Sequence, residues 1–321
     1  MSQVDTALNE RAAGVILGAA IGDAMGHPTE FLRIDAIRSS YPPSGVKGFA
    51  LWWERDGRTF APYTDDTQMA EIVLRALLRG RRTGTGLESV MTDIAAGFVE
   101  WRTNPQGGHR APGNACLAGA SQLAGGVHWS VAGGERAGGC GSVMRAYPFG
   151  LVLADDPDKA ERWAVEHSKM THRDPIAVAA CAAMAMGTAL TLHGQEVPSV
   201  LHAMVEVAQR YSPQTADMMS EAIADARSGV KPDVVLRRLQ AWAAHEAIAA
   251  AVFVVTRHPA DPRSAILEGA NSDGDSDSIA TLAGALVGAR VGIGAIPSDW
   301  VRDVERSDEL LALAAEVSET S

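Results

Sequence analysis

Apolar residues recur at helical spacing through Leu8–Ala24, Met69–Leu78, Val90–Trp101, 157–192, from Val197 to Val255 and from Ile279 to Ile293, and this periodicity predicts helix along most of the chain. Strand-like alternation is scarce. The segments 183–193 and 244–255 are built largely of Ala with Leu, Met and Val, a composition that lets helices approach one another closely. Gly- and Pro-rich breaks separate the helices at 27–31, 41–49, 104–114, 132–142 and 271–278, and long irregular loops of this kind often carry function. The chain after Val301 reads as a terminal helix ending in a frayed SETS. The expectation is an all-α protein.

Composition sharpens that reading. Of 321 residues, 46% are hydrophobic but only 5% aromatic, which suits Ala/Leu/Met packing between helices. No stretch is biased enough to mark a linker, so one domain over 1–321 is expected. A formal charge of −11 argues against a general nucleic-acid or anionic-membrane surface, because such partners need basic patches. Cys116, Cys140 and Cys181 lie far apart with no CxxC pair, which suggests neither a structural zinc nor a disulfide framework. The first residues carry Asp5 and Glu10 before any apolar run and lack the basic start of a secretion signal, and no span reaches the roughly 20 apolar residues of a membrane helix. A cytoplasmic protein is expected.

The loops gather carboxylates. Thr64, Asp65 and Asp66 come just before an amphipathic helix; Asp65 with Gln68 reads as a capping box, and the same residues read as ligands of a hard cation. Asp275 and Asp277 flank Ser276, with Ser278 following, before another apolar helix. In extended chain, residues two apart face the same way, so both carboxylates could meet one ion; the rival reading is again a cap. An EF-hand calcium loop fails on spacing, since its glycine and glutamate positions would hold Ser278 and Gly284. In the segment 14–31, Gly14, Gly18 and Gly22 allow close approach of a second helix, and Glu30 follows in a turn; Glu30 and Asp23 could be ordinary surface acids. Two acidic helix starts of matching style, rich in Asp with Thr or Ser, are what two oxygen-preferring ions such as Mg²⁺ or Mn²⁺ need. The absence of convergent His/Cys spacings disfavours zinc.

With these residues in view, the chain resembles the ADP-ribosylglycohydrolase family, which includes dinitrogenase reductase-activating glycohydrolase and the ADP-ribosyl-acceptor hydrolases. The matching segments are GDAMGHPTEF (22–31), TDDT (64–67), GCGSVMRAYPFG (139–150), THRDP (171–175) and GDSDSIATLAGALVGA (274–289), in family order. The resemblance implies a compact, single-domain, multi-helix fold with a central cleft holding two Mg²⁺ or Mn²⁺ ions. It puts the metal ligands on Thr64, Asp65, Asp66, Asp275, Asp277 and Ser278, the last standing where better-known animal members carry threonine. It puts a base or gate near the metals on Glu30. Gly138, Gly139, Cys140, Gly141 and Ser142 fall on the loop that cradles diphosphate, where bare backbone amides can ring an anion; a plain flexible turn is the alternative. Cys140 replaces a frequent asparagine, no aromatic at 136–141 offers a stack for adenine, and Cys140 reads as a packed side chain rather than a nucleophile. His172 falls near the distal ribose or its phosphates, against the plain reading of a satisfied polar residue at a helix end. Asn114 falls near a substrate-contacting asparagine, or only caps the next helix.

The implied activity is hydrolysis of the glycosidic bond between ADP-ribose and its acceptor, a modified protein or a small conjugate. Positive charge developing at the anomeric carbon calls for nearby carboxylates and a water activated by the ions, with Glu30, Asp66 and Asp277 carrying the chemistry. ADP-ribosyl-arginine is the favoured substrate; ADP-ribosyl-serine and O-acetyl-ADP-ribose are alternatives. The loops 41–62 and 104–113 would shape the acceptor side, with Trp52, Trp53 and Tyr63 either lining it or simply packed. A catalytically silent ADP-ribose-binding relative and a metal-dependent phosphohydrolase are the rival classes.

Overall fold

The computed structural model describes residues 3–319, with side chains from residue 7 onward. In chain order its helices begin with α1 (Gln3–Gly26), α2 (Ile34–Ser40), α3 (Asp65–Thr83), α4 (Leu87–Thr103), α5 (Asn114–Ala124), α6 (Tyr147–Val152), α7 (Pro157–Ser168) and α8 (Pro175–Leu192). They continue with α9 (Val197–Tyr211), α10 (Pro213–Arg227), α11 (Pro232–Arg238), α12 (Ala244–Arg257), α13 (Pro262–Ala270), α14 (Ser276–Val291), α15 (Ser298–Asp303) and α16 (Ser307–Glu319). The all-α expectation holds. One departure is a small antiparallel hairpin, β1 (Trp53–Arg55) and β2 (Arg58–Phe60), paired Trp53 to Phe60 and Arg55 to Arg58. Its turn is Asp56–Gly57, both at positive φ, 52° and 73°, as a two-residue hairpin loop requires.

Residue–residue contacts gather the chain into two units, each assembled from separated stretches. The first comprises, among the described residues, 3–63, 218–242 and 246–318, and its centre is the pairing of α1 with α14. Glycine makes this approach possible. A Cβ at Gly18 would stand 2.3 Å from the carbonyl oxygen of Gly284, and one at Gly26 would stand 2.3 Å from the Cα of Asp277. The backbones therefore touch where any side chain would force them apart, and the end of α1 is pressed against the beginning of α14.

The second unit comprises, among the described residues, 64–217, 243–245 and 319. Its core helix is α8, packed on α6, α7 and α9. By length and hydropathy α8 alone among the described helices could cross a membrane, but 83% of it is buried in the protein, the condition of a core helix. The apolar run 157–192 is two helices rather than one: Asp174 caps α8 by accepting from the Ile176 amide, and Pro175 opens it. The break between them carries His172.

Candidate active site

In the first unit, the turn after α1 and the start of α14 are stitched together by buried hydrogen bonds. The Thr29 hydroxyl lies 2.8 Å from the Gly26 carbonyl, 2.6 Å from the Ala270 carbonyl and 3.0 Å from Ser276 Oγ. Phe31 N donates to the Gly274 carbonyl at 2.9 Å, and Gly274 N donates back to Leu32 at 3.0 Å. Asp273, buried, accepts from Ile34 N at 2.6 Å. This lacing brings one carboxylate oxygen each of Glu30, Asp275 and Asp277 within 4.8 Å of one another. Glu30 is half-buried and both aspartates are buried, so neither Glu30 nor the wholly buried Asp23 is an ordinary surface acid.

The means of convergence differs from the extended-chain expectation. Asp275 is the N-cap of α14, accepting from Ser278 N at 3.4 Å, whereas Asp277 already lies in the first helical turn and accepts from the same amide at 3.0 Å. The positive end of the helix dipole stabilises both carboxylates, but three anionic groups this close repel one another unless a proton or a cation joins them. The donor set is oxygen only, with Ser278 beside it, and it fits a hard divalent cation.

In the second unit, α3 begins at Asp65, one residue earlier than a cap at Asp65 would place it. Thr64 is the N-cap and accepts from Asp66 N at 3.3 Å. Asp65 and Asp66 are both in the first turn and both buried. Gln68 is not the partner in a capping box; its amide donates to the Gln106 and Gly108 carbonyls at 2.7 and 3.1 Å and accepts from Trp101 Nε1 at 2.9 Å, tying the loop after α4 to α3.

The Gly-rich segment of the same unit forms a loop leading into a 3₁₀ turn, Cys140–Arg145. Gly138 accepts from Ala244 N at 2.8 Å. Gly138, Gly139 and Cys140 are half-buried, while Gly141 and Ser142 are buried. At Gly141 the missing Cβ leaves room for protein rather than open space: a methyl there would stand 2.6 Å from Cys116 Sγ and 3.0 Å from His172 Cε1. The Ser142 hydroxyl points inward to Ser168 and Cys181, at 3.0 and 3.3 Å. His172 is buried beside this loop, its Nδ1 2.7 Å from Thr171 Oγ1. Burial, reinforced by the Arg145 charge, pushes His172 down to about 3, so the ring is neutral at physiological pH. Burial raises the Cys116 thiol to about 11 and also raises Cys181, which makes neither a nucleophile.

Asn114 is exposed in the first turn of α5, and Gly113 occupies the cap position. Of the three aromatics, Trp52 is exposed, Trp53 meets His27 edge to face at 6.3 Å, and Tyr63 is buried with its hydroxyl accepting from Arg306 at 3.3 Å. Two further residues sit at these sites: Asp273, weighed in the sequence only as the first acid of the rejected calcium loop, braces the Glu30 turn, and Arg145, not singled out in the sequence, is fully buried at the end of the 3₁₀ turn. The signal for Arg145 was a lone charge inside the apolar run SVMRAYPFG.

Comparison with known proteins agrees with this architecture. Residues 4–321 match the sequence profile described as ADP-ribosylglycohydrolase. A curated relative from Rhodospirillum rubrum, ADP-ribosyl-dinitrogen reductase glycohydrolase, is 27% identical over 96% of this chain and 97% of its own. An ADP-ribosylarginine hydrolase from Pseudomonas putida is 27% identical over 96% of this chain and 78% of its own. A solved structure described as an ADP-ribosylglycohydrolase-related protein complex superposes with a TM-score of 0.73 at 23% identity, covering 98% of this chain and 99% of that one, and so shares the fold. With a profile match along almost its whole length, this fold and a buried carboxylate cluster in the matching loops, the chain belongs to the ADP-ribosylglycohydrolase family and is an enzyme that hydrolyses ADP-ribose conjugates.

Proposed function

We propose that this protein removes ADP-ribose from modified arginine, using two Mg²⁺ or Mn²⁺ ions, with Asp275, Asp277 and Ser278 as metal ligands in the first unit and Thr64, Asp65 and Asp66 as metal ligands in the second. The observation that carries the reading is the approach of Glu30, Asp275 and Asp277 within 4.8 Å: an all-oxygen set of this density is built for a hard cation. Arginine as acceptor is supported by the relative named for it. When bound, the ions supply Lewis acidity to a water and to the vicinal ribose hydroxyls.

The chain's own groups do the rest. Glu30 takes the attacking water's proton or holds that water in line with the anomeric carbon. The buried carboxylates favour the positive charge that develops on the ribose as the bond to the acceptor breaks. The Gly138–Ser142 backbone and His172 hold the diphosphate and distal ribose, and Asn114 contacts the substrate, so that binding far from the bond fixes its orientation.

Asp66→Ala and Asp277→Ala test the ligand set. Each is expected to abolish release of ADP-ribose from ADP-ribosylarginine and to lower Mg²⁺ or Mn²⁺ affinity by titration calorimetry, with the helical circular dichroism kept. Wild-type turnover by either variant in metal-replete buffer contradicts the assignment.

A further inference from the structure

Arg145 is fully buried, and among the described residues none of its hydrogen bonds goes to a carboxylate. Its guanidinium instead donates to neutral acceptors: Nε to His167 Nε2 at 3.0 Å, Nη1 to Cys116 Sγ at 3.3 Å and to the Gly141 carbonyl, and Nη2 to Thr171 Oγ1 at 2.7 Å. The ring of Phe98 lies 4.5 Å beneath the guanidinium carbon. An arginine has donors only, so each of these contacts fixes where a proton is.

At Thr171 the consequence reaches the substrate loop. Thr171 Oγ1 accepts from Arg145 and lies 2.7 Å from His172 Nδ1. Were Nδ1 protonated, the Thr171 hydroxyl would receive two hydrogen bonds, and its own proton, wholly buried, would have no acceptor among the described residues. That arrangement carries the full desolvation penalty of an unmade bond. The hydroxyl therefore donates to Nδ1, and the neutral ring carries its proton on Nε2. This second nitrogen has no protein partner among the described residues and lies along Gly141, 3.4 Å from where a Cβ would be. His167 obeys the same logic, accepting at Nε2 from Arg145 and keeping its proton on Nδ1, 3.3 Å from the Ala164 carbonyl.

We propose that Arg145 and Thr171 are positioning residues that hold His172 as the Nε2–H tautomer, so that His172 acts as a fixed neutral hydrogen-bond donor to an oxygen of the substrate's diphosphate or ribose. The proposal rests on the reading of His172 as a substrate contact. The low affinity of this ring for a second proton keeps the donor uncharged through the physiological range.

The test pairs a spectroscopic signature with a thermodynamic cycle. Long-range ¹⁵N–¹H spectra of the wild-type enzyme are expected to show His172 protonated on Nε2 and bare on Nδ1, with the pattern lost in Thr171→Val and restored in Thr171→Ser. Calorimetry with free ADP-ribose is expected to give binding about tenfold weaker in Thr171→Val and in His172→Asn, as for one lost hydrogen bond to a charged or polar ligand. The double variant should be no weaker than His172→Asn alone, because Thr171 acts through the ring. A proton on Nδ1 in the wild type, or full additivity of the two losses, overturns the relay. Failure of the wild type to bind ADP-ribose would instead remove the reading on which the relay's purpose rests, while the spectra still decide the tautomer.

Discussion

Glu30 and His172 are opposite in electrostatics: one is a half-buried acid among other acids, the other a buried base beside a permanent cation. Glu30→Gln keeps the size and hydrogen-bonding reach of the side chain and removes its basicity, so ADP-ribose is expected to bind normally while turnover falls by at least about two decades; turnover close to wild type would take Glu30 out of the chemistry. His172 gives a stability prediction. Its folded pKa, about 3, lies below the ordinary value of 6.5, so between those limits the unfolded chain takes up a proton that the native state refuses. The contribution is intact above pH 6.5 and is lost as the pH falls toward 3, at about 1.4 kcal/mol per pH unit for each such ring. Urea unfolding between pH 6.5 and 4.5 should show a shallower loss of stability in His172→Asn than in the wild type; identical slopes contradict it. At this scale the sequence was legible where a motif concentrated acids, as at Asp275 and Asp277. It was not legible where a residue acts only through burial: nothing in the spelling of Arg145 or Asp273 reveals that one fixes a histidine and the other braces the Glu30 turn.

Among elements, the pairing of α1 with α14 decides how the carboxylates are held. The glycines of α1 were readable as a face for close approach, but their partner was not, because it lies some 260 residues away in the chain. Gly26→Ala gives a test of sign. In an isolated helix the change favours helix by up to about 1 kcal/mol. Here the new methyl meets the Cα and amide nitrogen of Asp277 at 2.3 and 2.5 Å, and overpacking against backbone costs about 1–3 kcal/mol. Thermal unfolding is expected to show a destabilised protein with weaker metal binding, whereas Gly294→Ala, whose Cβ meets nothing within 4 Å, should leave both unchanged. A stabilised Gly26→Ala would mean that the two helices can slide apart freely. Helix periodicity found the helices but ran some together, in 157–192 and in 197–255, since apolar spacing continues through their junctions. The prolines at 157, 175, 213, 232 and 262, each at a helix start, carried the missing boundaries. The hairpin was missed for a similar reason: three-residue strands are too short for alternation to register, and only Asp56–Gly57 announces it.

For the molecule as a whole, the family and the fold were legible because five short motifs recur in order across nearly the entire chain. The acceptor was not, since none of the five motifs spells it. In the proposed reaction the carboxylates serve cleavage at the ribose and leave the diphosphate untouched. Incubating the enzyme with an ADP-ribosylated arginine peptide, with Mg²⁺ or Mn²⁺ and then after exhaustive chelation, and identifying the products by mass spectrometry tests it most directly. Intact ADP-ribose and unmodified peptide, formed only with the metal present, are the predicted result; release of phosphate or AMP, or cleavage undiminished after chelation, would contradict it.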